Sequence, residues 1–356
     1  MPAPDRTLPR ETIAQMLETI APTWTLRDHE LTDGGYLAVY RLSVDTDDGP
    51  RRVVLKTSPD GDGHGIDTEA RLLRMLRAHT SIPVPDVYGA VDAHDDLPAP
   101  FYVMEHVHGQ TVERTEMDTV SPATLERVAR ASGRYLAELH GLDAVDSYGY
   151  LTRDPATTLR GERPPAALDQ LVVAERESSW PAQVRNWGDD ALQKGEDSRF
   201  ADLVGDLLPV LHDHVDDLQG PFDPVLCHVD NSLENVLHDP ESGEITAMLD
   251  WAFTLAATPA YDLVLVEASL NGGQWRFVPS APDNATLIRD ALLDGYAQRG
   301  SPAVLDRLAA NRDTYELLSL CRSMHLIDMW PQVKDASPAQ VDGAAAAIRT
   351  ALESSL

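Results

Sequence analysis

Cysteine is almost missing from this chain of 356 residues, which holds only Cys227 and Cys321. Such a pair gives neither a metal-binding framework nor a disulfide scaffold, and a chain of this length needs none, so a reducing compartment is expected. Long apolar runs are also missing, which leaves no segment able to cross a bilayer as a helix. The opening residues Met1-Pro2-Ala3-Pro4-Asp5-Arg6 lack the basic and apolar regions of a secretory leader, so a cytoplasmic location is expected and no membrane partner. Lysine is the third absence: Lys56, Lys194 and Lys334 are the full set. No basic patch emerges, which argues against nucleic acid as a partner. There is no internal repeat, and the one low-complexity stretch is the alanine run from Ala344 to Ala347.

What the chain has instead is acid. It carries 58 Asp and Glu against 29 Lys and Arg, a formal net charge of −29. A cluster of acid would suggest a surface for a cationic ligand. Here the acid is spread along the chain, as in Asp45-Thr46-Asp47-Asp48 and Asp213-His214-Val215-Asp216-Asp217. That spread favours adaptation to a salt-loaded cytosol, the reading expected of a halophile. At molar salt the Debye length falls to about 3 Å, so self-repulsion is screened.

Periodicity divides the chain in two. Pro9 to Ile20 reads as an opening helix. Leu37–Val44, Arg52–Thr57, Val87–Val91 and Phe101–His106 read as strands, with Thr46–Pro50 as a turn. Asp67–His79 places Ala70, Leu73 and Leu76 at helical spacing. Beyond Gly109 the character becomes helical. Ser121-Pro122 is a helix start, and the helix should run to Gly141. Further helices are expected from Pro165 to Gly220, short strands and turns from Leu226 to Asp250, and helices from there to the end. The expected fold class is α+β. It has a small antiparallel-sheet lobe over residues 1–109 with one key helix, and a larger helical lobe over residues 110–356.

The strongest chemical signal is Cys227-His228-Val229-Asp230-Asn231-Ser232-Leu233-Glu234-Asn235-Val236-Leu237, followed by Ala247-Met248-Leu249-Asp250-Trp251. Asp230, Asn235 and Asp250 interrupt apolar stretches, where burial is costly without charged or hydrogen-bonding partners. Phosphoryl transfer would supply them. Magnesium takes a few hard oxygen ligands and keeps water, and a further carboxylate can orient and deprotonate an attacking hydroxyl.

These segments resemble the His-x-Asp-x-x-x-x-Asn loop and the Asp-Trp metal motif of the aminoglycoside phosphotransferase and choline kinase-like family, within the two-lobed protein-kinase-like fold. Pro259-Ala260-Tyr261-Asp262-Leu263 matches the segment that follows in that family, and the resemblance runs from about Leu31 to Leu270. It implies an enzyme that moves the γ-phosphate of ATP to a hydroxyl of a small molecule, with ATP and Mg2+ as cofactors. The acceptor would be an aminoglycoside, an amino alcohol or similar. Asp230 would be the catalytic base, with Asn235 and Asp250 on magnesium. His228 would brace the loop by hydrogen bonding, and Asp262 would tie a helix start to it.

The N-terminal third adds to this. Val53-Val54-Leu55-Lys56 is a buried-looking strand that keeps a lysine where lysine is otherwise discarded, so a compact ammonium is needed there. The resemblance gives Lys56 the nucleotide phosphates and Glu69 the pairing with Lys56. Gly34 and Gly35, ahead of the lysine strand, occupy the place of the phosphate-covering loop. Gly61-Asp62-Gly63-His64-Gly65 follows the lysine strand and reads as a flexible turn. Met104, Glu105 and Val107 stand where the family holds adenine, the last two through backbone groups. His106 and His108 lack a third metal ligand and read as polar surface.

Three positions depart from the family: Val229 replaces a common glycine, Leu233-Glu234 a Pro-Gly pair, and Thr258 an aspartate. They bear on loop shape and acceptor choice. The alternative reading is a nucleotide-binding pseudokinase acting as a partner protein. The complete set Lys56, Glu69, Asp230, Asn235 and Asp250 speaks against it. Oligomeric state is not legible.

Overall fold

The computed structural model of the chain describes residues 6–32, 37–59, 61, 65–174, 176–330 and 336–356. Its first helix, α1 (Arg10–Ile20), buries Ile13, Met16 and Leu17. Three strands follow: β1 (Thr25–Leu31), β2 (Ala38–Thr46) and β3 (Gly49–Thr57). β2 alternates buried and more exposed positions, as a strand with one core face must. The β2–β3 hairpin runs in register from Thr46↔Gly49 to Ala38↔Thr57. The strands thus extend into the expected Thr46–Pro50 turn, leaving Asp47 and Asp48 at its tip. β1 has no counterpart in the sequence reading. It pairs only with β2 at the sheet edge, most of its side chains meet solvent, and it therefore shows no apolar run.

Helix α2 (Ile66–His79) crosses to β4 (Val87–Val91) and β5 (Phe101–Glu105), completing an antiparallel sheet ordered β1-β2-β3-β5-β4. α2 begins at Gly65, whose φ of +76° is a left-handed conformation. A Cβ there would lie 2.2 Å from the Ala252 carbonyl oxygen, so only glycine lets this helix start approach the Asp250–Trp251 segment. The sequence reading had made this glycine part of a flexible turn.

Beyond Gly109 lie α3 (Pro122–Leu139), α4 (Trp180–Gly195), α5 (Ala201–Asp216), α6 (Pro259–Leu270), α7 (Ala285–Ala297), α8 (Pro302–Leu326) and α9 (Pro338–Glu353). Ser121 caps α3 as expected, its Oγ accepting the Thr124 N–H at 3.1 Å. This part also holds six short strands: β6 (Gly149–Arg153), β7 (Leu171–Val173), β8 (Val225–Cys227), β9 (Val236–His238), β10 (Ile245–Met248) and β11 (Leu255–Ala257). β9 and β10 form a hairpin, and the other four form a sheet ordered β7-β6-β11-β8. The sequence reading missed β6, β7 and β11, and it expected helix from Pro165 where turns and β7 precede α4. β7 and β11 have three residues each, too short for a period-two pattern to emerge, and β6 buries only Gly149 of its five.

The sheet order sets the site. β8 leads into Asp230 and the β9–β10 hairpin leads into Asp250. One continuous apolar core runs from α2 and Tyr102 through Val128, Leu226 and Trp251 to Leu292, so the two segments rest on a rigid floor. Among the described residues, no helix is long and apolar enough to cross a membrane.

Candidate active site

Lys56 projects from β3 into the space between the sheet and the Asp250 segment. Its Nζ lies 2.7 Å from Glu69 Oε2 and 2.9 Å from Asp250 Oδ1. Lys56 and Glu69 are 6% and 2% exposed, so this is a buried cluster. Glu69 also accepts the Trp251 N–H at 2.9 Å, which fixes the residue next to Asp250. Burial pulls the Lys56 ammonium down, but Asp250 and Glu69 outweigh it and hold the group above its ordinary value. Lys56 in turn holds the Asp250 carboxyl below its ordinary range against the opposing effect of burial. The pair is therefore ionised at neutral pH.

The Asp230 loop is fixed from beneath. Asp262, wholly buried at the start of α6, accepts the Val229 N–H at 2.8 Å and the His228 N–H at 3.2 Å. His140 Nε2, at the end of α3, lies 3.0 Å from the same carboxylate. Val229 has φ +60° and Asp250 φ +57°, left-handed conformations rare for residues with a Cβ. The common glycine that Val229 replaces is thus explained: the position is strained, and Asp262 holds it. The expected tie between Asp262 and the loop is present as two backbone hydrogen bonds.

His228 differs from expectation. Its ring nitrogens have no hydrogen-bond partner among the described residues, and the ring instead packs on Trp251 with centroids 4.1 Å apart. It meets the Asp250 segment by this ring contact, and its own N–H donates to Asp262.

Asn235 Nδ2 donates to the Asp230 carbonyl at 2.9 Å, which leaves its amide oxygen for another donor or a cation. Its own carbonyl accepts the Leu249 N–H at 2.8 Å, so Asn235 and Asp250 are held beside each other through the backbone. Asp230 Oδ1 accepts from Ser269 Oγ at 3.1 Å and faces Arg114 Nη2 at 3.3 Å. Arg114 Nε lies 2.7 Å from Glu234. Sequence reasoning missed Arg114, Ser269 and His140. The one available signal was Glu234, an acid where the family has Pro-Gly: it is the counter-ion of Arg114.

The adenine-side residues are placed as follows. Met104 pairs across from Val54 and packs partly buried on the main core. The Glu105 N–H donates to the Asp86 carbonyl at 2.8 Å, and its carboxylate accepts the Asp86 N–H at 3.2 Å. Val107 lies half-buried beyond the end of β5. Gly34 and Gly35 lie outside the described residues.

A small antiparallel sheet with two helices, a helical part, and a Lys–Glu–Asp cluster between them define a protein of the kinase-like class. Residues 30–310 match the phosphotransferase enzyme family, and the chain belongs to that family. Among solved structures, a Ralstonia eutropha protein provisionally named an aminoglycoside phosphotransferase superposes with a TM-score of 0.64 at 16% identity over 98% of each chain. The ADP and hygromycin B complex of aminoglycoside phosphotransferase APH(4)-Ia gives 0.58 at 16% identity, covering 95% of this chain and 98% of that one. The streptomycin–ATP complex of APH(2″)-IIa gives 0.55 at 15% identity over 98% of each. At such identity the likeness concerns the fold.

Among curated sequences, mouse acyl-CoA dehydrogenase family member 10 is 26% identical over 225 residues, 60% of this chain. Human acyl-CoA dehydrogenase family member 11 is 24% identical over 227 residues, also 60% of this chain. The chain spans only 18% of the mouse protein and 25% of the human one.

Proposed function

We propose that the chain transfers the γ-phosphate of ATP, bound with magnesium, to a hydroxyl of a small molecule. The observation that carries this reading is the buried Lys56 ammonium, 2.7 Å from Glu69 and 2.9 Å from Asp250 beside the Asp230–Asn235 loop. A lysine kept in this way is suited to phosphate oxygens, and Glu69 fixes its position. Nucleotides bound in two of the similar structures support the same choice of donor. The division at Gly109 belongs to this proposal, residues 1–109 holding nucleotide and 110–356 the acceptor. The five-stranded sheet is complete before Gly109, and the other sheets follow it.

The donor set fits magnesium. Asp250 supplies a carboxylate whose side chain is 37% exposed, and Asn235 an amide oxygen not used by its own hydrogen bond. Hard oxygen donors that leave room for water suit this ion. Bound there, magnesium would neutralise charge on the phosphate oxygens. Lys56 would hold the nucleotide phosphates, and Met104, Glu105 and Val107 would flank the adenine. Asp230 would orient the acceptor hydroxyl and take its proton as that oxygen bonds to phosphorus. The bond from phosphorus to the departing ADP oxygen breaks in the same displacement. Ser269 and Arg114 hold the Asp230 carboxylate in place, and Asp262 holds the loop just ahead of it through the His228 and Val229 N–H groups.

The test is release of ADP from ATP and magnesium with panels of aminoglycosides, amino alcohols and hydroxy acids at high potassium chloride, with mass spectrometry of the product. A phosphorylated acceptor is expected. Magnesium-dependent ATP binding with no phosphorylated product from any panel would replace this reading with the pseudokinase one.

A further inference from the structure

A cavity of about 120 Å³ opens between β6, α4 and α8. It adjoins the segment that carries Asp250: Tyr150, on its wall, pairs with Leu255 in the strand that follows. Tyr150 is 45% exposed, and its ring lies 6.0 Å from that of Trp187, also on the wall. Exposed aromatic side chains grouped at a cavity mark a place for an apolar body.

The polar wall has the sign opposite to the rest of the molecule. Lys194, Arg322 and His325 line it together with Asp190, which sets two cations against one acid in a chain of formal charge −29. Lys194 is balanced by Asp190 at 2.6 Å. Arg322 has no such contact: its guanidinium donates to the Tyr261 hydroxyl at 3.0 Å and reaches no carboxylate at ion-pair distance among the described residues, and the Asp190 charge acts on it from farther off. The His325 Nδ1 is buried with no partner among them. Burial, then Lys194 and Arg322, hold that imidazole below its ordinary value, so it adds a hydrogen-bonding group and not a charge. Arg322 is half-buried, and a guanidinium with no carboxylate in contact has N–H groups to offer a bound anion.

We propose that this cavity holds the anionic end of the acceptor, whose class is a hydroxy carboxylate with an aromatic or apolar arm. Its carboxylate pairs with Arg322 and Lys194, the arm lies against Tyr150 and Trp187, and the hydroxyl is presented to the cleft. This rests on the reading of the chain as a phosphotransferase acting on a small-molecule hydroxyl. A polycationic aminoglycoside would meet Arg322 with charge of the same sign.

The test is calorimetric titration of phenyllactate and its neutral amide into the full chain in one potassium chloride buffer, for the parent, Arg322→Met and Lys194→Met. The parent is expected to bind the acid about tenfold or more tightly than the amide, the scale of a charge-assisted hydrogen bond. That ratio should fall to near one in Arg322→Met and partway in Lys194→Met. Arg322 also supports Tyr261, so Lys194→Met, at a half-exposed position, carries the test if Arg322→Met fails to fold. Equal binding of acid and amide, no binding of either, or an acid preference that survives substitution overturns the proposal. So does kanamycin binding more tightly than phenyllactate. Titration of the same samples with magnesium–ATP reports separately on the phosphotransferase reading.

Discussion

Lys56 Nζ lies 2.9 Å from Asp250 Oδ1 across 194 residues of sequence, and this contact joins the N-terminal sheet to the segment that would hold magnesium. Lys56 is held above its ordinary value of 10.5 by Asp250 and Glu69 despite burial, so its part in stability is present below that pH. That part is lost as pH rises through the folded value. Asp250 is held below 3.8, chiefly by Lys56, so its part is present above that pH and lost as pH falls through the folded value. The difference in melting temperature between the parent and Asp250→Asn should therefore be constant across neutral pH and shrink in acid. A difference that grows in acid would contradict the ion pair.

Replacement of Lys56 should separate folding from turnover. Lys56→Ala is expected to lower kcat/KM for ATP by about 10²–10³-fold, the scale of removing one preorganised charge donor. Lys56→Arg should also fail, because the ammonium sits 6% exposed between two carboxylates and a planar guanidinium needs more room. Circular dichroism and a coupled turnover assay give the two readouts. Near-parental turnover of Lys56→Arg would remove Lys56 from the phosphates.

The strained loop makes a double-mutant test. Asp262 accepts the N–H of Val229 at φ +60°, a conformation that costs about 1–2 kcal/mol for a residue with a Cβ. Asp262→Asn should destabilise the chain by about 1–3 kcal/mol. In a Val229→Gly background, where the loop no longer needs to be held, the same substitution should cost about 1 kcal/mol less. Denaturant melts of the four proteins measure the coupling, and additive effects would mean that Asp262 does not restrain Val229.

Most of this site could be read from the chain because its groups interrupt apolar stretches: Asp230, Asn235 and Asp250 stand out among Val, Leu and Met, and Lys56 stands out by scarcity. Val229 and Glu234 were legible as departures from a pattern, but their meaning was not. A positive φ and a counter-ion are three-dimensional facts. Arg114, Ser269 and His140 carry no local mark at all, since each gains its role from a partner far along the chain. For the fold, α1, α2 and α3 were legible from helical spacing. The edge strand β1 and the short strands β6, β7 and β11 of the C-terminal part gave too little periodicity to be found.

The two aspartates of the cleft should part in their effects. Asp230→Asn keeps the shape and an oxygen facing Ser269 and Arg114 but loses the negative charge and the proton acceptor. It should bind magnesium–ATP nearly as the parent does and transfer phosphate about 10²–10⁴-fold more slowly. Asp250→Ala removes an oxygen donor and the partner of Lys56, so it should weaken magnesium-dependent ATP binding as well as turnover. Nucleotide titrations with and without magnesium, beside turnover, separate the two. An exchange of these phenotypes would reverse the assigned roles.

Salt should govern whether the fold forms at all. The formal charge of −29 is spread over the surface, and only three of the 356 residues are lysine. Many of the arginines are already committed to partners: Arg71 to Asp92, Arg163 to Asp86, Arg349 to Asp202 and Arg312 to Glu267. The acid left over repels itself, and repulsion between exposed charges falls steeply once the Debye length drops from about 10 Å at 0.1 M to about 3 Å at 1 M. Exposed ion pairs such as Arg185–Asp216 weaken over the same range, but each contributes about 0–1 kcal/mol, so the loss is small beside the relief of net charge. The buried Lys56–Glu69 pair is shielded from the ions and should not change. Melting temperature is therefore expected to rise with potassium chloride from dilute buffer to the molar range. Raising it further with sulfate would add a separate effect, exclusion from the surface, so chloride is the salt that isolates screening. A melting temperature that is flat or falls over the chloride series would mean that the acid is compensated locally, and that this chain is not built for a salt-loaded cytosol.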